Sequence, residues 1–476
     1  MGRVDGRSPR ISTSVIIAFV FGLGLFEAIR SVMETRQLSL LMQERETFDE
    51  PTTRSTSKSH DETKTTVAYA ITMTHFKLAE VEGSDFKHID RAAVLHQSIK
   101  LAMQESTKYD YHIYAFVHQE ASDAKPLLER LGYRVQIKDT PFNITENENA
   151  EFVDSQRIGC CGEKEYLKLY SYLLVDYPVV VHLDLDTIVL RSMDQVFDFM
   201  TLPRTTTSGL SQDRVESFAS TSTMWMNKHL NISETHAPRS ILEHPERIDF
   251  MYTRDYNMVD PPMLKPYQMG VQGGFMVIRP NQTDFDRMIE IIRRGGGFKD
   301  SMWGGEELGH AGYGGYYGAG TVQGFTSYYY DHVEKGMRSL ELNRCNYNSM
   351  VDDPHFFNKN TNQTICRTTE DKCEDCRATN LKDIYTSHFT VCGKPEWCDP
   401  PANRLCGELM HQWYKTRLSL ETEWMHRFSS SDFQYVPHLK PNQDKNKNLG
   451  HCDGHSYIPL TYPELTNAAD LTSALI

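Results

Sequence analysis

The run from Val179 to Leu190 reads Val-Val-Val-His-Leu-Asp-Leu-Asp-Thr-Ile-Val-Leu. Its β-branched, apolar character is that of a buried strand. Acids are seldom buried unless something pairs with them, so Asp184 and Asp186 in this run are not ordinary solvated surface. Alternation puts the two on the same side of an extended chain. Two carboxylates at a strand end make a hard-oxygen site for a divalent cation such as Mn2+ or Mg2+. Such a cation bridges a diphosphate and offsets the charge that builds on a departing phosphate. The other reading is a strand end whose acids cap the next turn.

Around this run, strand-like and helix-like segments alternate. Val67–Met73, Tyr111–Val117 and Arg134–Ile137 read as strands; His88–Met103 and Lys125–Leu131 have helical spacing. The pattern predicts an α/β sandwich with a mainly parallel sheet flanked by helices. Hydrophobic residues make up 39% of the 476 and aromatics 11%, enough for a core and incompatible with global disorder. Lys and Arg number 50 against 64 Asp and Glu, so 50 − 64 = −14. That balance excludes a duplex nucleic-acid binder, which needs a basic face. No repeat of solenoid length is present.

The N-terminus points to a membrane and a lumen. Ser14–Phe26 is apolar throughout and follows Arg3, Arg7 and Arg10. A basic flank before such a run reads as a signal anchor, or as a signal peptide that is cleaved to give a secreted chain. No clear small-x-small cleavage site follows, which favours the single-pass anchor. Asn143, Asn231, Asn281 and Asn362 begin glycosylation sequons, and of ten cysteines only Cys160 and Cys161 lie before Cys345. An even count in an oxidising lumen fits a disulfide framework of undetermined connectivity. Cys373-Glu-Asp-Cys376 is alternatively half of a zinc site, but no second tight pair accompanies it. The expected organisation is a tip and anchor (1–29), a polar stem (30–64), a main domain (65–405), and a C-terminal helix-like extension with a polar tail (406–476).

Several ordered blocks add to the paired acids. Glu165-Tyr-Leu-Lys-Leu-Tyr170 precedes the acidic run, and Met193-Asp-Gln-Val-Phe197 follows it. Gln272-Gly-Gly-Phe-Met-Val277 precedes Arg279-Pro280; Gln323-Gly324 comes next, then His388-Phe-Thr-Val-Cys-Gly-Lys394-Pro-Glu-Trp397. Together these resemble glycosyltransferase family 8, the glycogenin-like group of nucleotide-diphospho-sugar transferases, in blocks from Val67 to Trp397. The resemblance implies a GT-A type fold and a retaining transfer from a nucleotide sugar, with UDP the expected nucleotide. It implies that Asp184, Asp186 and His388 bind Mn2+ or Mg2+, that Lys394 reaches the diphosphate, and that Lys168, Gln272, Gly273 and Gly324 lie at the donor. Thr72 and Thr74, at the end of the first strand, are where a family member grips the nucleoside, and strand ends at a topological switch are where open α/β sheets bind ligands.

The chain also departs from that pattern. Val322 stands where the family has Asp before Gln-Gly, and Gln272 where it has Asn. Gln323 is then the residue at the catalytic position, though an amide is a poor substitute for a carboxylate. Asp255, in Arg254-Asp-Tyr-Asn257, is the candidate to replace the missing acid. The glycine-rich, tyrosine-interleaved run Gly304–Gly324 lacks the Lys-Ser/Thr of a phosphate loop and reads as a wall of the sugar or acceptor site. Trp303 and Tyr328–Tyr330 are candidates to stack on sugar rings, or else core packing. The expectation is a Golgi-type lumenal, metal-dependent transferase acting on a glycan, polysaccharide or glycoprotein. The rival is a lumenal glycan- or nucleotide-sugar-binding pseudoenzyme without turnover.

Overall fold

A computed structural model describes residues 64–78, 86–156, 161–201, 248–256, 270–295, 298–299, 302–303, 320–334, 338–367, 372–428 and 448–462. The expected anchor, all of the stem but Lys64, Asn231, Cys160 and nearly all of the glycine-rich run lie outside the described residues. Among the described residues no helix is long and apolar enough to cross a membrane.

The chain is an α/β protein built on a mainly parallel, Rossmann-like sheet. Its strands are β1 (Thr65–Met73), β2 (Tyr109–His118), β3 (Arg134–Lys138), β4 (Val180–Leu183), β6 (Phe250–Arg254), β7 (Val271–Ile278) and β8 (Ser339–Glu341). A separate two-stranded ladder pairs β5 (Thr187–Val189) with β9 (Thr386–His388). The spatial order of the large sheet is β8-β6-β7-β4-β1-β2-β3. All strands run one way except β7, which opposes both β4 and β6. The order explains where a ligand can go. The chain moves outward from β1 through β2 to β3, then returns to place β4 on the other side of β1. The connections leaving β1 and β4 therefore diverge, which opens a crevice at their carboxyl ends.

Alternation decides which face each strand buries. Val67, Tyr69 and Ile71 of β1, Val181 and Leu183 of β4, and Phe275 and Val277 of β7 join one core. Helix α1 (Lys87–Met103) covers them through Ile89, Leu95 and Ile99. Ala68, Ala70, Val180 and Met276 face the opposite side. There they meet Tyr166, Leu169 and Tyr172 of the 3-10 segment Gly162–Leu173. Met288 and Ile292 of α3 (Gln282–Arg294) and Phe325 of α4 (Val322–Ser327) complete that layer. Full burial of each such side chain contributes about 1.5–3 kcal/mol, so the sheet carries its own stability. Helix α2 (Lys125–Leu131) closes the β2–β3 edge.

The segment Glu408–Phe428, expected to be helical, forms most of α5 (Arg404–Phe428). Leu405, Leu409, Trp413, Leu420 and Trp424 are buried at helical spacing. Lys100 of α1 pairs with Glu423 at 2.6 Å. The later segment Tyr457–Tyr462 ties to the buried carboxylate Asp90 of α1, which accepts bonds from Tyr457 and Tyr462 hydroxyls and the Leu460 N–H. Disulfides Cys345–Cys376, Cys366–Cys373, Cys392–Cys406 and Cys398–Cys452 stitch this part together. Cys373 and Cys376 thus belong to two different disulfides, which answers the zinc alternative. Cys392–Cys406 joins the two sides of the expected boundary at residue 405.

Candidate functional site

The paired acids sit where the sheet opens, but not in the extended conformation expected of them. β4 ends at Leu183, and Asp184–Asp186 make a turn closed by the Thr187 N–H on the Asp184 carbonyl at 3.1 Å. The turn, rather than strand alternation, brings the carboxylates together. It also starts β5, whose antiparallel register places Thr187 opposite His388. Asp184, Asp186 and His388 consequently converge, with one ligand atom from each lying within 4.8 Å of the others.

Each carboxylate has a lysine. Lys168 Nζ lies 2.8 Å from Asp184 Oδ1 and 2.9 Å from Glu165 Oε2, and donates to the Gly273 carbonyl at 3.1 Å. Three partners use all three ammonium hydrogens. Burial works against this charge, yet Asp184 and Glu165 hold the Lys168 pKa above the ordinary lysine value. Lys394 Nζ contacts Asp186 Oδ2, and His388 Nε2 lies 3.2 Å from Asp186 Oδ1. Burial alone would raise both acids. For Asp184 it wins, and its carboxyl is raised. For Asp186 the opposing pull of His388 and Lys394 wins and holds it well below the usual carboxylate range. His182, two residues before Asp184, is buried against Ser171 at 2.9 Å, and burial pushes its pKa well below 6.5.

The expected donor residues Gln272 and Gly273 and the expected catalytic residue Gln323 come together at the start of β7. The Gly273 N–H donates to Gln323 Oε1 at 2.8 Å and the Gly274 N–H to Gln272 Oε1 at 2.6 Å. In the other direction, the Gly273 carbonyl takes Lys168 and the Gly274 carbonyl takes the Asp184 N–H at 2.9 Å. The glycine pair is thus a hub linking β7, α4, Lys168 and the acidic turn. A Cβ on Gly274 would sit 2.4 Å from His388 Cε1 and 2.8 Å from Asp184 Oδ2, closer than real side chains approach. Only glycine lets the turn and the histidine close on one point. Gly324 is buried inside α4.

The remaining candidates divide. Thr72 lies at the same edge as Asp184, two residues beyond the Ala70–His182 pair of the parallel register. Thr74 donates to Cys161 Sγ at 3.3 Å. Asp255 follows β6, which runs parallel to β4 with β7 between, so it stands at this edge two strands away. Its N–H is held by the Gly270 carbonyl at 3.0 Å, and it is not among the three clustered ligands. Val322 is fully buried in the core, so no carboxylate could replace it there without a large desolvation cost. Tyr328, Tyr329 and Tyr330 are 5%, 0% and 0% exposed. Their rings pack against Phe250, Phe325 and one another, which corrects the sugar-stacking alternative. The Trp303 side chain is outside the described residues.

Sequence reasoning missed what holds β9. Asn348, in the left-handed region at φ 54°, donates from Nδ2 to Thr253 Oγ1 of β6 at 2.9 Å and from its N–H to Thr386 Oγ1 at 2.6 Å. The Ser349 carbonyl takes the His388 N–H at 3.0 Å. This loop bridges the large sheet to the strand bearing His388. An isolated asparagine in a loop carries no sequence signal for such a role. Glu165 also reaches the site through Lys168, and its spacing of three from that lysine is the signal the sequence offers.

The donor set suits a divalent cation. Two carboxylates and one imidazole match Mn2+ or Mg2+ with room for other ligands. His388 Nδ1 is buried with no hydrogen-bond partner, a cost that fixed ring placement must offset.

No family model matches the chain, and no curated protein matches it. Among solved structures, it is similar to the galactosyltransferase LgtC in complex with donor and acceptor sugar analogues, with 12% identity, TM-score 0.35, and 76% of this chain and 99% of that one covered. Mouse xyloside xylosyltransferase 1 shows 11% identity and TM-score 0.34 over 68% and 97% of the two chains. The glycosyltransferase GlyE of Streptococcus pneumoniae shows 10% identity and TM-score 0.35 over 77% and 64%.

Proposed function

We propose that the protein is a metal-dependent, retaining glycosyltransferase that moves a sugar from a nucleotide sugar, with UDP the expected nucleotide, to a glycan, polysaccharide or glycoprotein. The observation that carries this reading is the convergence of Asp184, Asp186 and His388 at the carboxyl edge of β4, beside the β1–β4 switch. The blocks resembling glycosyltransferase family 8 support it. A bound Mn2+ or Mg2+ would supply positive charge to the leaving diphosphate. Asp184, Asp186 and His388 would hold it, the histidine through a ring nitrogen. Lys394, which pairs with Asp186, would turn to the diphosphate and stabilise the charge that grows there. Thr72 and Thr74 would receive the nucleoside. Lys168 and the Gly273–Gly274 hub keep the acidic turn in register.

Attack takes place on the face from which the nucleotide leaves, and a departing phosphate oxygen accepts the acceptor hydroxyl's proton. Gln323 anchors the β7 end at the sugar. Asp255 is the acid proposed to replace the one absent at Val322. We place the chain in the Golgi or another secretory lumen as a single-pass type II protein, on the anchor, sequons and cysteines of its sequence. A binding protein without turnover is the second reading. It is favoured by one observation: Val322, standing where the family has Asp, is fully buried in the core.

The test is UDP release from a panel of UDP-sugars by the full-length protein, with Mn2+ or with chelator. The expected result is metal-dependent release from one sugar, reduced by at least about 100-fold in an Asp184→Ala/Asp186→Ala variant. UDP binding without release from any sugar would favour the binding protein; no UDP binding would overturn both readings.

A further inference from the structure

The turn that carries Lys394 also carries an aromatic ring that the chemistry so far does not use. Pro395–Trp397 is a single 3-10 turn capped by Lys394, closed by the Trp397 N–H on the Lys394 carbonyl at 3.0 Å. Pro395 fixes the entry, and its carbonyl accepts the Tyr414 hydroxyl at 2.6 Å. Glu396 turns inward, 1% exposed, to Arg91 of α1 at 2.7 Å. Cys398 leaves the turn in the left-handed region at φ 58°. Disulfides Cys392–Cys406 and Cys398–Cys452 bracket it on both sides.

Against that restraint, Trp397 is 48% exposed. Single exposed apolar residues are ordinary on protein surfaces, but tryptophan is among the costliest to leave in water, and this one is not free to fold back. The benzo edge of its indole lies over Gly393, where a Cβ would stand 3.7 Å from Trp397 Cε3. Lys394 is the extended residue that leads into the turn, so the indole lies one short turn along the chain from the lysine whose ammonium reaches Asp186.

We infer that Trp397 is a stacking platform for an acceptor saccharide, receiving the apolar C–H face of a pyranose ring beside the diphosphate site. The inference rests on the transferase reading above. A ring pre-fixed by its turn loses little freedom on binding, and an aromatic body with a polar N–H suits a ligand that is apolar on its faces and polar at its rim. The nucleoside is assigned to the β1 edge, at Thr72 and Thr74, which leaves the Trp397 side for the second sugar.

The experiment measures binding of maltotriose, cellotriose, xylotriose and chitotriose to the full-length protein by calorimetry in the presence of UDP and Mn2+. UDP affinity is measured in parallel on the wild type, Trp397→Ala and Trp397→Phe. The expected result is that at least one saccharide binds with Kd below ~10 mM, weakened at least tenfold by Trp397→Ala and less by Trp397→Phe, with UDP affinity kept within twofold in both. Failure of every saccharide to bind the wild type while UDP binds would overturn the inference and leave the transferase reading standing. Equal saccharide affinity in wild type and Trp397→Ala, or loss of UDP affinity on substitution, would overturn it too. Failure of the wild type to bind UDP would sink the transferase reading, and the inference with it.

Discussion

Two regions of the molecule meet at the proposed metal site, and they are stabilised by different means. Asp184 and Asp186 leave the end of β4, in the middle of a seven-stranded sheet with cores on both faces. His388 and Lys394 come from 338–462, where β9 is three residues long and all four disulfides of the described residues lie. Short strands and single turns bury too little apolar surface to stay put alone, so cross-links and loop clamps such as Asn348 do that work. The site is therefore unequally robust. Its carboxylates follow directly on a central strand of the sheet, whereas its histidine and second lysine depend on covalent restraint.

The strongest perturbation of the sheet side is Lys168→Ala. It leaves Asp184 and Glu165 without the cation they share, in a position 3% exposed. The carboxylates left behind are 30% and 19% exposed, so the cost lies near the lower end of the about 3–5 kcal/mol that breaking a fully buried pair costs. Urea unfolding should report that loss, and a cost below about 1 kcal/mol would mean the sheet does not depend on this contact.

On the cross-linked side, a Cys392→Ser/Cys406→Ser variant opens a loop with a sequence separation of 14. The chain-entropy estimate for such a loop is about 3 kcal/mol. The comparison predicts a second effect beyond lost stability: weaker metal-dependent UDP binding, because Lys394 loses its tether. Unchanged UDP binding in this variant would show that the turn holds Lys394 without the disulfide.

The smallest effect is a pH dependence confined to the sheet side. Burial pushes His96 of α1 down to about 4, with its ring against Tyr133. The folded-state value is below the unfolded 6.5, so the contribution is complete above pH 6.5 and is lost as pH falls toward 4. Allowing for partial solvent contact, stability should drop by about 1 kcal/mol between pH 7 and 5, and His96→Gln should flatten that slope in urea titrations at the two pH values.

The sheet was more legible in the sequence than the cross-linked region, for a physical reason. Buried strands announce themselves through β-branched runs, so β1, β2, β3, β4, α1 and α2 fall where periodicity puts them. The placement of Asp184 and Asp186 at a strand end was readable, but their turn was not: a run of alternating Leu and Asp looks extended until Gly274 and Lys168 are known to close around it. His388 could be named only through its resemblance to a family block, because nothing local marks a histidine as a ligand. Its support by Asn348 and Ser349 depends on contacts 38 residues apart, which no local pattern encodes. The tyrosines of Tyr328–Tyr330 show the converse. Their composition suggested a sugar platform, and burial against Phe250 and Phe325 makes them core.

The central claim is that one metal site spans both regions. The direct test is Mn2+ affinity, read by calorimetry in the presence of UDP, for the wild type, Asp186→Asn and His388→Ala. The account predicts that both substitutions weaken Mn2+ binding by at least about tenfold, the aspartate from the sheet side and the histidine from the cross-linked side. Wild-type Mn2+ affinity in His388→Ala would contradict it and confine the site to the acidic turn alone.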